Sequence, residues 1–258
     1  MRSRDAAWLV VMGLCLVFMV GPLALVVLFS FGSNTLIGFP MGGLTLSWYG
    51  KLMADEAFRD AARISLVVAV SVSILATMTG ALAAFALSRA QPKWARPVLA
   101  AISVPVLLPP LVVAIAIVVL VVRGLGLKLG LPVVILGHVL VTQPFVILIV
   151  MARLGSFGTA SVEAARDLGA TRWQAFYLVT LPQIRTAIIG AALISAAISL
   201  DDFIIASFTI GGGNTLSTFV WGKLRTTLDP SINAIATILL LSTIGMSVLA
   251  LRLTRYRG

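Results

Sequence analysis

The sequence predicts an all-α protein that crosses a membrane several times. Hydrophobic residues make up 60% of its 258 residues, and the mean hydropathy is +1.09. Soluble domains are closer to half apolar. A helix needs about 20 apolar residues to cross the hydrocarbon core of a bilayer, and six runs qualify, at approximately 7–31, 64–88, 97–122, 131–153, 184–208 and 233–252. We therefore expect a single transmembrane domain over 1–258.

The first run is interpreted as a retained span. Arg2 and Arg4 precede it, as the basic region of a secretory signal would. The stretch from Ala6 to Phe31 is about 25 residues long, whereas the apolar region of a signal has about 7–15 residues. No A-x-A cleavage site ends it, so we expect a membrane helix.

The basic residues predict the orientation of the spans. With both termini on one side, that side carries 12 of the 19 Lys and Arg residues and the other side carries 7. Lys and Arg accumulate in cytoplasmic loops, so both termini are expected in the cytoplasm. The same rule explains the net charge of +10 without nucleic acid. The single cysteine, Cys15, excludes a disulfide within the chain and a thiolate metal cluster.

Prolines predict kinks in two of the spans. VPVLLPPLV (104–112) carries three prolines within the third span, and Gln143-Pro144 interrupts the fourth. Each proline leaves a backbone carbonyl that neighbouring helices or water must satisfy. Bending of packed helices and a hinge or pathway lining are both compatible with this pattern. Small residues around Gly80 and Gly190 predict close approach of helices.

The segment 155–183, between the fourth and fifth spans, predicts two short helices joined at a glycine. Ser161 can N-cap the first helix, with Glu163 in its first turn. Gly169 follows as a C-terminal stop. Thr171 and Gln174 form a T-x-x-Q capping box that begins the second helix. We call this segment, 155–183, the elbow.

The second helix of the elbow is predicted to be amphipathic. Trp173, Phe176 and Tyr177 fall at i, i+3 and i+4 and therefore share a face. Pro182 is expected to mark the turn into the fifth span. An interfacial helix pair lying on lipid headgroups is the alternative that composition leaves open.

The stretch EAARDLGATRWQAFYLVTLP (163–182) resembles the EAA loop of ABC-importer permeases. That pattern is E-A-A, three residues, Gly, nine residues, Ile, one residue and Leu-Pro. Val179 replaces the usual Ile, and the matching positions are Glu163, Ala164, Ala165, Gly169, Leu181 and Pro182. The resemblance implies a type I importer permease of six transmembrane helices. It also implies that the elbow carries a coupling helix, which docks in a cleft of a separate ATPase subunit.

Two further stretches narrow the resemblance. Residues 199–240, from SLDDFIIASF to DPSINAIATILL, are similar to the C-terminal third of spermidine/putrescine permeases of the second type. Residues 46–69 look like the outer loop and second span of the branch that also includes iron, sulfate and molybdate permeases. Many polyamine permeases have an acidic residue where this chain has Pro110. Related cationic or opine-like substrates therefore stay open beside putrescine and spermidine.

The resemblance implies a set of partners in a bacterial inner membrane. They are a homologous second permease, two copies of a cytoplasmic ATPase that binds ATP and Mg, and a periplasmic substrate-binding protein. This chain carries no G-x-x-x-x-G-K-[ST] motif, and its glycine-rich 210–214 stretch is predicted to be a turn. We expect no cofactor, catalytic residue or metal site in this chain. His138, the single histidine, is interpreted as a satisfied polar residue rather than a ligand.

Asp201 and Asp202 lie together within an apolar run. An ionised Asp at the bilayer centre costs roughly 2.5–3.5 kcal/mol, so the pair demands polar surroundings. Asp201 lies about 25 Å along a helix that starts near Ile184, in the outer third of the membrane. A binding role for cargo ammonium groups and a structural ion pair or helix-end hydrogen-bond cluster are both open.

Helical spacing separates the two aspartates. Asp202 shares its face with Ser195, Ser199 and Ala206, whereas Asp201 shares an apolar face that includes Ile198. We therefore expect Asp202 and Ser199 to face the substrate path. Asp201 is expected to hold a neighbouring helix or loop, with Lys223 or Arg225 as its partner.

Trp48 lies in an outer loop near the membrane. Its two interpretations are an anchor in the aromatic belt and a cation–π contact with an ammonium ion on the substrate path. A rival class is a proton-coupled secondary transporter that uses the two aspartates as a relay. That class predicts an inverted repeat, which the sequence lacks, and leaves the elbow unexplained. A membrane scaffold without transport would leave the aspartates unexplained.

Overall fold

A computed structural model describes residues 2–34, 38–158, 160–226 and 229–255, with side chains described from 8 to 252 within these ranges. The described residues form helices joined by loops, and the loop between α1 and α2 contains an isolated antiparallel bridge between Gly32 and Leu44. The helices are α1 (Arg2–Phe29), α2 (Ser47–Ala54), α3 (Glu56–Arg89), α4 (Pro92–Leu107), α5 (Pro110–Val118), α6 (Leu131–Phe157), α7 (Ala160–Asp167), α8 (Arg172–Ala175), α9 (Leu181–Asp201), α10 (Ile204–Thr209), α11 (Leu216–Thr226) and α12 (Ser231–Arg255). Wider π-helical turns follow α5 at Val119–Gly124 and α8 at Phe176–Thr180.

Five of the described helical segments are long and apolar enough to span a bilayer. They are Trp8–Phe29, Glu56–Arg89, Leu131–Phe157, Arg172–Asp201 and Ser231–Arg252. The predicted third span is instead a bent pair, Pro92–Leu107 and Pro110–Gly124, whose axes differ by 100°. The chain has six spans only if this pair counts as one.

The prolines explain why the third span breaks and the fourth does not. Leu108 and Pro109 each precede a proline and are extended, with ψ of 149° and 133°. Steric contact with the proline ring disfavours the helical conformation at such positions. Two successive residues therefore leave the helix. Pro144 lies inside the continuous helix α6, so the chain does not break there, and the predicted kink stays a prediction. A single proline removes one N–H donor, and a helix held by its neighbours continues past it.

The described chain separates into two compact units, residues 1–60 with 219–242 and residues 61–218 with 243–258. The prediction of a single domain over 1–258 stays a prediction. In the first unit, the loop after α1 is held at two points. The Trp48 indole N–H donates to the Gly32 carbonyl at 2.7 Å, and the Ser30 and Tyr49 hydroxyls lie 2.8 Å apart.

The second unit holds the better-packed core. Val146, Ile147 and Val150 of α6 are fully buried and pack in one cluster with Ala84 and Ala191. A Cβ added at Gly80 of α3 would lie 2.6 Å from Val146 Cγ1. The predicted close approach of helices at Gly80 is therefore confirmed.

The short helix α10 is inserted between α5 and α6. Its Ile205 is buried with Val113 and Ala114. A Cβ added at Gly137 would lie 2.7 Å from Ile205 Cγ2, so the missing side chain makes room for this insertion. The glycine-rich stretch that follows is a turn as predicted, with φ of +70° at Gly211 and +87° at Gly213.

Candidate functional site

The first helix of the elbow is α7, which begins at Ala160. Ser161 therefore lies inside its first turn, and the prediction that it is the N-cap is wrong. The residue before the helix, 159, lies outside the described residues. Glu163 is in the first turn, as predicted. Its carboxylate suits the positive end of the helix dipole.

The end of α7 is a Schellman motif. The Ala170 N–H donates to the Ala165 carbonyl at 3.0 Å, and the Gly169 N–H donates to the Arg166 carbonyl at 2.9 Å. Gly169 has φ of +91°, the left-handed conformation that such a C-terminal cap requires. A Cβ added at Gly169 would meet nothing within 4 Å. Glycine therefore serves the backbone conformation here rather than a close contact.

The second helix of the elbow begins at the predicted capping box. The Gln174 N–H donates to Thr171 Oγ1 at 3.2 Å, and the Thr171 N–H donates to Gln174 Oε1 at 2.8 Å. This helix continues through the π-helical turn into α9, so Arg172–Asp201 is one helical segment. The predicted turn at Pro182 is therefore wrong. Because proline lacks an N–H and crowds the preceding turn, a widened turn just before it lets the helix continue.

The aromatic residues of the elbow do not form a buried stripe. Phe176 is half-buried against Phe85 of α3, with ring centroids 5.3 Å apart. Trp173 and Tyr177 stack on each other and are 72% and 57% exposed. Ala175 is the buried residue of this short helix. The three rings contact one another, as expected for residues that share a face, but only Phe176 packs inward.

The residues that match the EAA pattern lie at or near the surface. Glu163, Ala164, Gly169 and Pro182 are exposed, while Ala165 and Leu181 are half-buried. Leu168, between the two helices, is 90% exposed. A shallow groove of about 420 Å³ follows the elbow and is lined by Ala165, Leu168, Gly169, Ala170, Gln174, Ala175, Leu178 and Val179. Small side chains and one large apolar side chain thus lie together at an open surface.

The fifth predicted span breaks at the aspartate pair. Helix α9 ends at Asp201, and α10 begins at Ile204. Asp202 Oδ1 accepts hydrogen bonds from the backbone N–H groups of Ile205 at 2.8 Å and Ala206 at 3.3 Å. The Ser217 hydroxyl donates to the Asp202 carbonyl at 2.8 Å. Asp202 therefore ends one helix and caps the next.

His138 of α6 faces this break. Its Nδ1 lies 2.8 Å from Ser199 Oγ, and its Nε2 lies 3.4 Å from Asp202 Oδ1. The second contact is close enough for an ion pair, but its alignment is too poor for a hydrogen bond. The His138 side chain is 1% exposed and that of Asp202 is 17% exposed. His138 has the polar partner that the sequence interpretation expected.

The break changes the argument that assigned faces to the two aspartates. That argument assumed a continuous helix through 184–208, so it cannot relate Asp202 to Ala206. Asp201 is exposed and makes no hydrogen bond or ion pair with the other described residues. Of its two expected partners, Lys223 pairs instead with Asp55 at 3.3 Å, and the Arg225 guanidinium lies over the Trp221 ring. Asp55 Oδ1 also caps α3 through the Ala57 N–H at 3.0 Å.

Trp48 is buried within the first unit, at 7% exposure. Lys51 Nζ lies 4.3 Å from the centre of its ring. An aromatic-belt anchor would be exposed to headgroups, so that interpretation is wrong in this structure. The expected contact between Trp48 and a substrate ammonium ion loses its geometric basis, because a cation of the chain already faces the ring.

The contributions of His138 and Ser217 to the break were not predicted from the sequence. His138 and Ser199 are 61 residues apart, and no local pattern links them. Ser217 follows the glycine turn and reaches back to Asp202. The spacing of Ser199 and Asp202, at i and i+3, was the one feature of the sequence that placed two residues of the break close together. Among the described residues, no group of three or more His, Cys, Asp or Glu side chains could hold a metal ion.

The long apolar helices are those of a protein that crosses a membrane several times. The family described as "Binding-protein-dependent transport system inner membrane component" matches residues 76–257, and the chain belongs to this family. It is therefore a transport component rather than an enzyme, and a multi-pass inner-membrane protein.

Curated relatives cover most of the chain. The putrescine transport system permease protein PotI of Escherichia coli K12 is 32% identical over 239 residues, which cover 90% of this chain and 85% of PotI. The spermidine/putrescine permease PotC of the same strain is 32% identical, covering 88% of this chain and 86% of PotC. The sulfate permease CysW of Synechococcus elongatus is 30% identical and covers 71% of each chain.

Solved structures share the fold. A bacterial ABC transporter for import of the acidic polysaccharide alginate has a TM-score of 0.72 at 18% identity, covering 98% of this chain and 94% of that chain. The MetNI methionine ABC transporter has a TM-score of 0.66 at 17% identity, covering 83% of this chain and all of that chain. The chain thus has the type I permease fold of ABC importers, which confirms the predicted fold class, while the count of six transmembrane helices stays a prediction.

Proposed function

We propose that this chain is one of the two permease subunits of an ATP-driven importer for putrescine, spermidine or a related cationic molecule. The observation that carries the proposal is the similarity to two polyamine permeases at 32% identity through about nine-tenths of the chain. The match includes the elbow and the aspartate pair, which are the two features with unusual local structure. The sulfate permease is similar over a shorter stretch.

The elbow is proposed to couple the permease to the ATPase. A docking helix needs small exposed residues for close contact, and Ala164 and Gly169 are exposed on the elbow. Glu163 is available to a basic or amide group of a partner. Because Arg172–Asp201 is one helical segment, a displacement of the elbow would move α9 and the break at Asp202 with it.

The proposed assembly follows from this role. It contains a homologous second permease, two copies of a cytoplasmic ATPase and a periplasmic binding protein. ATP and Mg would be held by the ATPase, with no cofactor in this chain. Both termini of this chain are proposed to lie in the cytoplasm, since the elbow must meet the ATPase there and basic residues are more frequent on that side.

The substrate path is proposed to pass the break between α9 and α10. Asp202 is half-buried there, and its carboxylate lies beside His138, whose other ring nitrogen is hydrogen-bonded to Ser199. A carboxylate is the natural partner of an ammonium group. Asp201, exposed at the end of α9, is a second acidic group at the same level. Trp48 is the least supported member of the predicted path, since it is buried against Lys51.

Uptake of labelled putrescine, spermidine and sulfate tests the proposal. The measurement compares native cells, cells that lack the gene for this chain and cells in which it is restored. We expect a loss of putrescine or spermidine uptake with sulfate uptake unchanged. Loss of sulfate uptake alone would contradict the polyamine assignment. Uptake that follows the proton gradient and not ATP would favour the proton-coupled alternative.

A further inference from the structure

A basic groove lies where α6 ends and α9 begins, on the flank of the elbow. Its volume is about 340 Å³, and its lining includes Arg153, Phe157, Leu178, Gln183, Arg185 and Thr186. Arg153 ends the predicted fourth span and Arg185 begins the predicted fifth. Both arginines therefore lie at the level where hydrocarbon gives way to headgroups.

Arg153 is held in place without a carboxylate. Its Nε donates to the Gln183 carbonyl at 3.1 Å, and its guanidinium carbon lies 4.2 Å from the centre of the Phe157 ring. These contacts fix the side chain between two helices. They use one of the five guanidinium N–H donors, which leaves four for a ligand. A basic residue whose only role is to set the orientation of the chain in the membrane needs no such contacts.

Neither arginine of the groove has an acidic partner. Among the described residues, the contacts within 4.0 Å between a basic group and a carboxylate join His138 to Asp202 and Lys223 to Asp55, so no described carboxylate lies within 4.0 Å of Arg153 or Arg185. Two positive charges thus line one concavity and are not neutralised within the described chain. Such a concavity attracts an anion, and the planar guanidinium group matches the geometry of a phosphate.

The walls of the groove select the kind of anion. Half of its lining residues are apolar, namely Phe157, Leu178, Val179 and Pro182, and Leu178 is 74% exposed. A free phosphate makes no favourable contact with these apolar side chains, whereas the glycerol and acyl carbons of a phospholipid can pack against them. Basic pockets between transmembrane helices at the membrane surface bind anionic lipid headgroups.

We propose that Arg153 and Arg185 form a binding site for the phosphate of an anionic phospholipid. The guanidinium groups bind the phosphate oxygens, and the apolar side chains contact the lipid carbons. The site is distinct from the substrate path at Asp202 and does not depend on the identity of the transported molecule. Its ligand is supplied by the membrane itself.

Lipid retention tests the proposal. The protein is purified in mild detergent, mixed with equal amounts of phosphatidylglycerol and phosphatidylcholine, and measured by native mass spectrometry after excess lipid is removed. We expect preferential retention of phosphatidylglycerol, lowered roughly tenfold or more in Arg153→Gln/Arg185→Gln. The matched control is Lys93→Gln/Arg96→Gln, which removes the same charge from two exposed residues that do not line the groove.

The remaining measurements keep the test decisive. Arg153→Lys/Arg185→Lys retains both charges but lacks the planar guanidinium groups, so it should show intermediate lipid retention. This variant provides the test if the glutamine variant does not fold. Equal loss of phosphatidylglycerol retention in the groove variant and the control would overturn the proposal, because retention would then depend on the total charge of the protein and not on the groove. Displacement of phosphatidylglycerol by excess inorganic phosphate would also overturn it, because the ligand would then be a soluble anion.

Discussion

His138 Nδ1 lies 2.8 Å from Ser199 Oγ, and this hydrogen bond joins α6 to the last turn of α9. Both residues are buried, at 2% and 5% exposure. The other ring nitrogen lies 3.4 Å from Asp202 Oδ1. A single imidazole thus links the end of one helix with the residue that caps the next. The break in the fifth span is therefore a fixed structural feature, held by side chains from two elements.

Replacement of Ser199 by alanine should destabilise the protein. His138 would then keep a buried ring nitrogen without a partner, and such an unsatisfied group costs about 1–3 kcal/mol. The measurement is the thermal unfolding midpoint of the protein purified in detergent. Ser247→Ala is the control, since Ser247 is exposed and bonds within its own helix, to the Thr243 carbonyl. Equal midpoints for the two variants would contradict the structural role of the His138–Ser199 bond.

Asp202→Asn should reduce polyamine uptake more than Asp201→Asn. The asparagine retains an oxygen that can accept from the Ile205 and Ala206 N–H groups, so the cap of α10 is kept while the charge is lost. Asp202→Ala removes the cap as well and should cost about 1 kcal/mol of stability. The measurement is the initial rate of putrescine uptake, normalised to the amount of protein in the membrane.

Two outcomes of this comparison are informative. If Asp201→Asn is equally or more harmful, Asp202 is a structural cap and not the acidic group that meets the substrate. If Asp202→Asn lowers the unfolding midpoint as much as Asp202→Ala, the loss of uptake reports the fold and not the charge. Asp201, which is exposed and unpaired among the described residues, is the matched position for the comparison.

Much of the fold could be predicted because hydropathy and helix signals are local. The apolar runs gave the long helices, and the capping box at Thr171 and the stop at Gly169 gave the inner boundaries of the elbow. Prolines were less reliable guides. Pro109 and Pro110 break a span, while Pro144 and Pro182 lie within continuous helices. The outcome depends on adjacent residues and on packing, which a proline alone does not report.

The candidate site was harder to predict because its contacts are distant in sequence. The partner of Asp202 is His138 on α6, and the partner of Lys223 is Asp55, between α2 and α3. Helical spacing could relate Asp202 to Ser199, but not to a histidine 61 residues before Ser199. The break at 202–203 was also hidden, since Phe203, Ile204 and Ile205 continue the apolar run. There the capping carboxylate, rather than hydropathy, decides where the helix ends.

Substitutions at Gly169 can distinguish two roles of this residue in the elbow, its backbone conformation and its place on the proposed docking surface. Its φ of +91° disfavours branched side chains, whereas Asn and Asp tolerate this region better than other residues. We expect Gly169→Val to abolish uptake through loss of the cap, and Gly169→Asn to retain much of it. Gly169→Asp should abolish uptake while the protein stays in the membrane, because it adds a charge to the surface that docks with the ATPase.

Copurification of the ATPase distinguishes the causes. Gly169→Asp should fold like Gly169→Asn but lose the ATPase, because a Cβ at this position meets nothing within 4 Å of the chain itself. Normal uptake by Gly169→Asp would refute the coupling role. Equal losses for the Asn and Asp variants would indicate that the backbone conformation, and not the added charge, is what matters at the elbow.

Two Gly→Ala changes are expected to have opposite effects on stability. Gly80 lies in the contact between α3 and α6, whereas Gly245 has open space around it. A Cβ at Gly80 would lie 2.6 Å from Val146 Cγ1, so Gly80→Ala should cost about 1–3 kcal/mol through overpacking. Gly245 lies in α12 with open space around its Cα, so Gly245→Ala should gain up to about 1 kcal/mol from helix propensity. Unfolding midpoints measure both. Adding Val146→Ala to Gly80→Ala restores the space, and the double variant should be less destabilised than the sum of the two single changes. Additive losses would mean that the two helices do not meet at Gly80.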